Sequence, residues 1–148
     1  MLAVLTEREA FDDPKWIFEI KWDGYRAIAE INGGEVNLYS RNGITFNIAY
    51  PKIVAALKKI KADCIIDGEI VVFDETGKPS FQKIQNYSTT SSLAIQYFVF
   101  DCLRVNGKDI SRLPLIERKA QLKKIIPKTG LVMYYYHPFW QSFLPDSF

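Results

Sequence analysis

Near the start of the chain three charged residues, Glu19, Lys21 and Asp23, occupy alternate positions, while Trp16, Phe18, Ile20 and Trp22 take the positions between them. Successive side chains of an extended strand point to opposite faces, so the pattern predicts a strand over 16–22 with one apolar and one charged face. A charged row of this kind either meets solvent or lines a cleft. In a cleft Lys21 has the chemistry of a nucleophile, because an amine that has lost its proton attacks phosphorus or carbonyl carbon. Its reference pKa of about 10.4 opposes that loss. A partly desolvated site with other cations nearby lowers the cost. A second acidic pair, Asp67 and Glu69, is two residues apart in a β-like run and shares a face. His137, the only histidine, lies in Tyr134-Tyr135-Tyr136-His137-Pro138, apart from these groups, and reads as a structural or surface residue. No cluster has the spacing of zinc ligands. Asn32-Gly33-Gly34 lacks the Gly-Lys-Ser/Thr ending of a phosphate loop.

The elements that must carry these residues follow from the pattern around them. Tyr25 to Ile31 reads as a strand, Asn32-Gly33-Gly34 as a tight hairpin turn, and Glu35 to Ser40 as the returning strand. Asn42-Gly43 makes a further turn. Pro51 opens a short helix with Ile53, Leu57 and Ile60 as its apolar stripe. Cys64 to Phe73 is rich in Ile and Val and reads as a strand. Asp74 to Pro79 is a turn, 80–86 a short helix, and Tyr97 to Phe100 a strand closed by Asp101. Asn106-Gly107 turns the chain, and Pro114 opens a helix that Pro127 stops after about Ile126. The stretch 131–148 is aromatic and has no readable period. The predicted class is α+β, mainly antiparallel sheet with flanking helices.

Composition narrows the function classes. Of 148 residues 48% are hydrophobic and 24% charged, a balance that builds a core and argues against disorder. No apolar run approaches the roughly 20 residues that span a bilayer. Glu7, Arg8 and Glu9 interrupt the first ten residues, so no secretion signal is read there. With Cys64 and Cys102 as the only cysteines, reduced buried thiols in a cytoplasmic protein are expected. The charge is unevenly spread. Residues 1–101 hold 11 Lys and Arg against 14 Asp and Glu, whereas 102–148 hold 8 against 3. The basic stretch Arg112, Arg118, Lys119, Lys123, Lys124, Lys128 is either a solvated helix face or a phosphate-meeting surface.

Lys21-Trp22-Asp23-Gly24-Tyr25-Arg26 matches the K-x-D-G motif of covalent nucleotidyltransferases. Further blocks follow in that family's order: Ser40-Arg41-Asn42-Gly43, Asp67-Gly68-Glu69, Tyr97-Phe98-Val99-Phe100-Asp101, and the stretch Leu113-Pro114-Leu115-Ile116-Glu117-Arg118-Lys119. Over about 16–126 the chain resembles ATP-dependent DNA ligases, and within them the ligase domain of bacterial end-joining enzymes. The resemblance implies a covalent-nucleotidyltransferase, ATP-grasp-like adenylation domain and a bacterial DNA-repair role. It implies that Lys21 attacks the α-phosphorus of ATP and holds AMP. Glu19 would meet the adenine amino edge, Arg26 and Arg41 the sugar and phosphate, and Glu69 the ribose hydroxyls or a metal. Phe100 would stack on adenine, with Phe98 as second candidate, and Asp23 would orient. Mg²⁺ would screen the phosphates, and nicked or broken double-stranded DNA would be the partner.

The family's next blocks, Glu-Gly followed by lysine and a K-x-K strand, are not found in 102–148. The expectation is therefore the N-terminal part of an adenylation domain over 1–130, an atypical aromatic tail over 131–148, no C-terminal oligonucleotide-binding barrel, and weak or no sealing by this chain alone. An incomplete sheet would leave edges open to self-association, and the tail could cover them as a homo-oligomer. Two other readings stand beside the ligase: an RNA ligase or capping-type nucleotidyltransferase, and a non-catalytic module that binds nucleic acid or protein.

Overall fold

Gly33 (φ 57°) and Gly34 (φ 84°) take the positive φ angles that a tight hairpin needs, and they join β1 (Tyr25–Asn32) to β2 (Glu35–Ser40) as the sequence predicts. The computed structural model describes residues 17–127 and 130–134. These fall into two units divided between Ile20 and Lys21. Ile17–Ile20, the described part of the first, carry no helix or strand. In the second, α1 (Pro51–Leu57), β3 (Cys64–Val72), α2 (Phe81–Gln85), β4 (Ile95–Val105), β5 (Lys108–Asp109), α3 (Leu115–Ile125) and β6 (Val132–Tyr134) follow the hairpin.

One sheet runs in the order β2-β1-β3-β4-β5, with β6 also on β4. Among the described strands only the β4–β6 pairing is parallel; the rest are antiparallel, in line with the α+β reading. Ile53 and Leu57 of α1, with Ile60 just beyond it, are buried as the predicted stripe. They join Ile31, Leu38, Ile66, Ile70 and Val99 in one core. Burial of such side chains contributes about 1.5–3 kcal/mol each. Tyr97 lies wholly inside, and its hydroxyl donates to the carbonyl of Ala27 at 2.9 Å, which satisfies the one polar atom on that ring.

The free edge of β2 is closed. Asn47 accepts from the Leu38 amide (2.7 Å) and donates to the Val36 carbonyl (2.8 Å), while the amide of Phe46 donates to the Leu38 carbonyl and that of Ser40 to the Ile44 carbonyl. An edge so occupied offers little to a second strand.

The strand expected over 16–22 is not formed: among the described residues Ile17–Asp23 carry no strand, and Trp16 lies outside them. To continue β1 backward past Tyr25, the chain would have to pair with the end of β3. That position is taken, because the Ser80 amide donates to the Val72 carbonyl and Phe73 bridges to Pro79. The strand expected at Tyr97–Phe100 is longer than predicted, running from Ile95 to Val105. Two irregularities hide its length. Gly68 pairs with Val99 and Asp67 with Asp101, so Phe100 is an extra residue in the ladder; Ile66 pairs with Cys102 and Ile65 with Arg104, so Leu103 is another. Bulges break the two-residue alternation on which strand recognition depends. Strand β6 is three residues long, too short to show a period, and so 131–134 joins the sheet without a sequence signal.

Candidate active site

Two motif glycines let the site's elements meet. A Cβ on Gly24 would overlap the Ile70 carbonyl oxygen, and a Cβ on Gly68 would overlap the Phe98 carbonyl oxygen and the Tyr97 ring. Glycine is thus required at both places for close backbone approach, rather than for an unusual φ. The contact at Gly24 sets the turn that bears Lys21 directly on β3.

That turn is held at two further points. The Gly24 amide donates to Glu69 Oε1 at 3.1 Å. The Trp22 ring stacks on Phe98, with centroids 3.9 Å apart and planes 12° from parallel. Glu69 and Phe98 are direct partners across β3 and β4, so both anchors belong to one patch of sheet. Lys21, next to Trp22 in sequence, is exposed and makes no ion pair or hydrogen bond among the described residues.

Arg26 sits opposite Glu69 in the β1–β3 ladder and reaches diagonally to Asp67. Its Nε and Nη2 bond the two carboxylate oxygens at 3.1 and 2.6 Å. The same guanidinium lies 5.7 Å from the centre of the Phe100 ring. Its pKa is raised, first by the hydrogen bond to Asp67, so it is a permanent cation on this face. The Glu69 carboxyl is pushed above its ordinary value by burial, against the pull of the Gly24 amide and of Arg26.

The structure therefore brings together Arg26, Asp67, Glu69, Phe98 and Phe100, with the Lys21 turn anchored to them. Asp23 is exposed and in no described ion pair, although its charge adds to the upward push on Glu69. Arg41 stands exposed on the turn after β2, in no described contact with this face. Glu19 is exposed and belongs to the other unit. Phe98 is 4% exposed, with one ring face covered by Trp22 and the Phe73 ring at 6.2 Å. Phe100 is only partly buried. Among the described residues no three His, Cys, Asp or Glu side chains gather to hold a metal. His137 lies outside the described residues.

Sequence reasoning missed three participants. Trp22 falls at the variable position of its motif and had no signal of a role. Arg118 and Lys119 were read within a basic surface stretch, yet both are buried. Arg118 Nε and Nη2 bond the Asp101 carboxylate at 2.8 and 2.9 Å, and Lys119 Nζ donates to the Phe100 carbonyl at 2.7 Å. Their place in a motif block was the available clue. Lys128 of that stretch lies outside the described residues.

The model of the ATP dependent DNA ligase domain matches residues 1–138. This chain belongs to the ATP-dependent DNA ligase domain family. It is 32% identical over 134 residues to the multifunctional non-homologous end joining protein LigD of Mycolicibacterium smegmatis, a match that covers 90% of this chain and 17% of that protein. To a DNA ligase of Sulfophobococcus zilligii it is 39% identical over 140 residues, 86% of this chain and 22% of that one. The chain thus spans a small part of the length of these relatives. Its fold matches the ligase domain of Mycobacterium tuberculosis LigD with a TM-score of 0.69 and 33% identity, over 80% of this chain and 40% of that one. A mycobacterial DNA ligase D complexed with ATP gives 0.67 and 31%, over 81% and 40%. The family is enzymatic, and the fold is that of its nucleotidyltransferase domain. No helix among the described residues is long and apolar enough to cross a membrane.

Proposed function

We propose that this chain is the nucleotide-charging part of an ATP-dependent DNA ligase. The deprotonated amine of Lys21 attacks the α-phosphorus of ATP. A P–N bond forms, the bond to the β-phosphate oxygen breaks, pyrophosphate leaves, and the amine's proton passes to solvent. The AMP held on Lys21 then activates a 5′-phosphate at a nick or break in double-stranded DNA. The observation that carries this reading is the double anchoring of the Lys21 turn, by Gly24 on Glu69 and by Trp22 on Phe98, which leaves the ammonium exposed and in no ion pair among the described residues. The related ligase D complexed with ATP supports the choice of nucleotide.

The neighbouring residues supply recognition. Phe100 is the better stacking surface for adenine, because the Phe98 ring is already covered. The Arg26 guanidinium beside it offers charge to the sugar and phosphate, joined by Arg41 from its exposed turn. Glu69 keeps one carboxylate oxygen beyond the Gly24 bond for ribose hydroxyls or a cation. Asp23 is assigned to orienting the lysine turn. Magnesium fits this donor set only in its usual manner, held by one or two carboxylates together with phosphate oxygens, with Glu69 as the carboxylate. When bound it would neutralise charge on the departing pyrophosphate.

Incubation with α-labelled ATP and Mg²⁺ tests the reading. Label transfer to the protein is expected from ATP in preference to GTP, with release of pyrophosphate. Absence of both ATP binding and label transfer would overturn it, and preference for GTP would move the chain to the capping-type enzymes.

A further inference from the structure

The residue assigned to adenine stacking is the extra residue of a bulge. Asp67 pairs with Asp101 and Gly68 with Val99, which leaves Phe100 without a partner across the β3–β4 ladder. A bulge re-aims its side chains and frees backbone groups, and both consequences must be stabilised from elsewhere. Helix α3 does so with two adjacent residues. Lys119, 1% exposed, donates its ammonium to the Phe100 carbonyl at 2.7 Å. Arg118 grips the next residue, Asp101, through both carboxylate oxygens, while the Asp101 Oδ1 also accepts from the Cys102 amide at 2.8 Å. A further guanidinium nitrogen of Arg118 donates to the carbonyls of Leu113 (2.6 Å) and Ser111 (3.2 Å), which fixes the entry to α3.

We infer that Arg118 and Lys119 are positioning residues for nucleotide recognition: from α3 they clamp the Phe100–Asp101 bulge so that the Phe100 ring is presented beside Arg26. This rests on the proposed assignment of Phe100 to the base. The chemistry argues against a merely general packing role. A helix that only covers a strand does so with apolar side chains, whereas here two buried cations are spent on the carbonyl and carboxylate of the two bulge residues. Burying a cation is costly unless its bonds are made, so the clamp is an all-or-none arrangement. Its product is the aim of one ring.

The test separates the base from the phosphates. Binding of ATP and of inorganic tripolyphosphate is measured for the chain as it stands and for Lys119→Met, Phe100→Leu and the double variant, with thermal melting of each. Loss of one base–aromatic stack lowers affinity by about 5- to 150-fold. That loss is expected for ATP with Lys119→Met, with tripolyphosphate binding unchanged. The double variant is expected to bind ATP no more weakly than Phe100→Leu alone, since both act through one ring. Wild-type ATP affinity in Lys119→Met, equal losses for ATP and tripolyphosphate, or additive losses in the double variant would each overturn the inference. Should Lys119→Met fail to fold, Asp101→Asn keeps the shape while weakening the grip of Arg118, and is judged by the same outcomes. Failure of the unaltered chain to bind ATP would instead count against the proposed function itself.

Discussion

Asp67 and Asp101 face each other across β3 and β4, and each holds an arginine by both carboxylate oxygens, yet the two pairs have different surroundings. The Arg26 side chain is 30% exposed and lies over the Phe100 ring; the Arg118 side chain is 7% exposed and also satisfies two backbone carbonyls. The same chemistry thus serves two ends. Where water and a ligand can reach the guanidinium, the pair is a recognition element held ready. Where they cannot, it is a structural rivet, and its worth lies in what it fixes.

The sharpest way to break this contrast is to remove each arginine. Arg118→Met leaves the Asp101 carboxylate buried without its partner, and should destabilise the fold by about 3–5 kcal/mol in denaturant unfolding. Arg26→Met should cost less, about 1–3 kcal/mol, because the Arg26 side chain it removes is itself 30% exposed, so water can take the guanidinium's place on the Asp67 carboxylate. It should, however, weaken ATP binding at temperatures where the protein remains folded. Equal stability losses, or a loss of ATP affinity only from the Arg118 variant, would erase the distinction.

A smaller effect tests the electrostatics of the open face. The Glu69 pKa is raised in the folded chain, chiefly by burial, so the folded state holds the proton more tightly than the unfolded state. This contribution favours folding below the ordinary glutamate pKa and is lost as pH rises through the raised folded value. Thermal melting against pH should show wild type losing stability relative to Glu69→Gln over that acidic window. The opposite slope would mean that the Gly24 amide and Arg26 outweigh burial. The buried thiols offer the matching check on the sealed region. Burial pushes Cys64 up to about 12 and Cys102 up to about 11, so neither should react with a thiol reagent near pH 8 until the chain unfolds.

Much of the fold was legible because it is local. The β1–β2 hairpin carries its turn in Asn32-Gly33-Gly34, and α1 its stripe in Ile53 and Leu57. The motif blocks brought Arg26, Glu69 and Phe100 to attention before any coordinates. What was not legible is non-local. Nothing near Lys21 shows that Ser80 occupies the ladder position a longer β1 would need. The bulge at Phe100 depends on the partner strand, and the two arginine pairs join residues 41 and 17 positions apart. Composition read Arg118 and Lys119 as surface charge, for a buried cation and a solvated one have the same letter.

The account turns on which atom carries the nucleotide. After incubation with ATP and Mg²⁺, peptide mapping by mass spectrometry should place AMP on the peptide containing Lys21, with no adduct in Lys21→Ala. AMP on another lysine, or an adduct that survives Lys21→Ala, would contradict it.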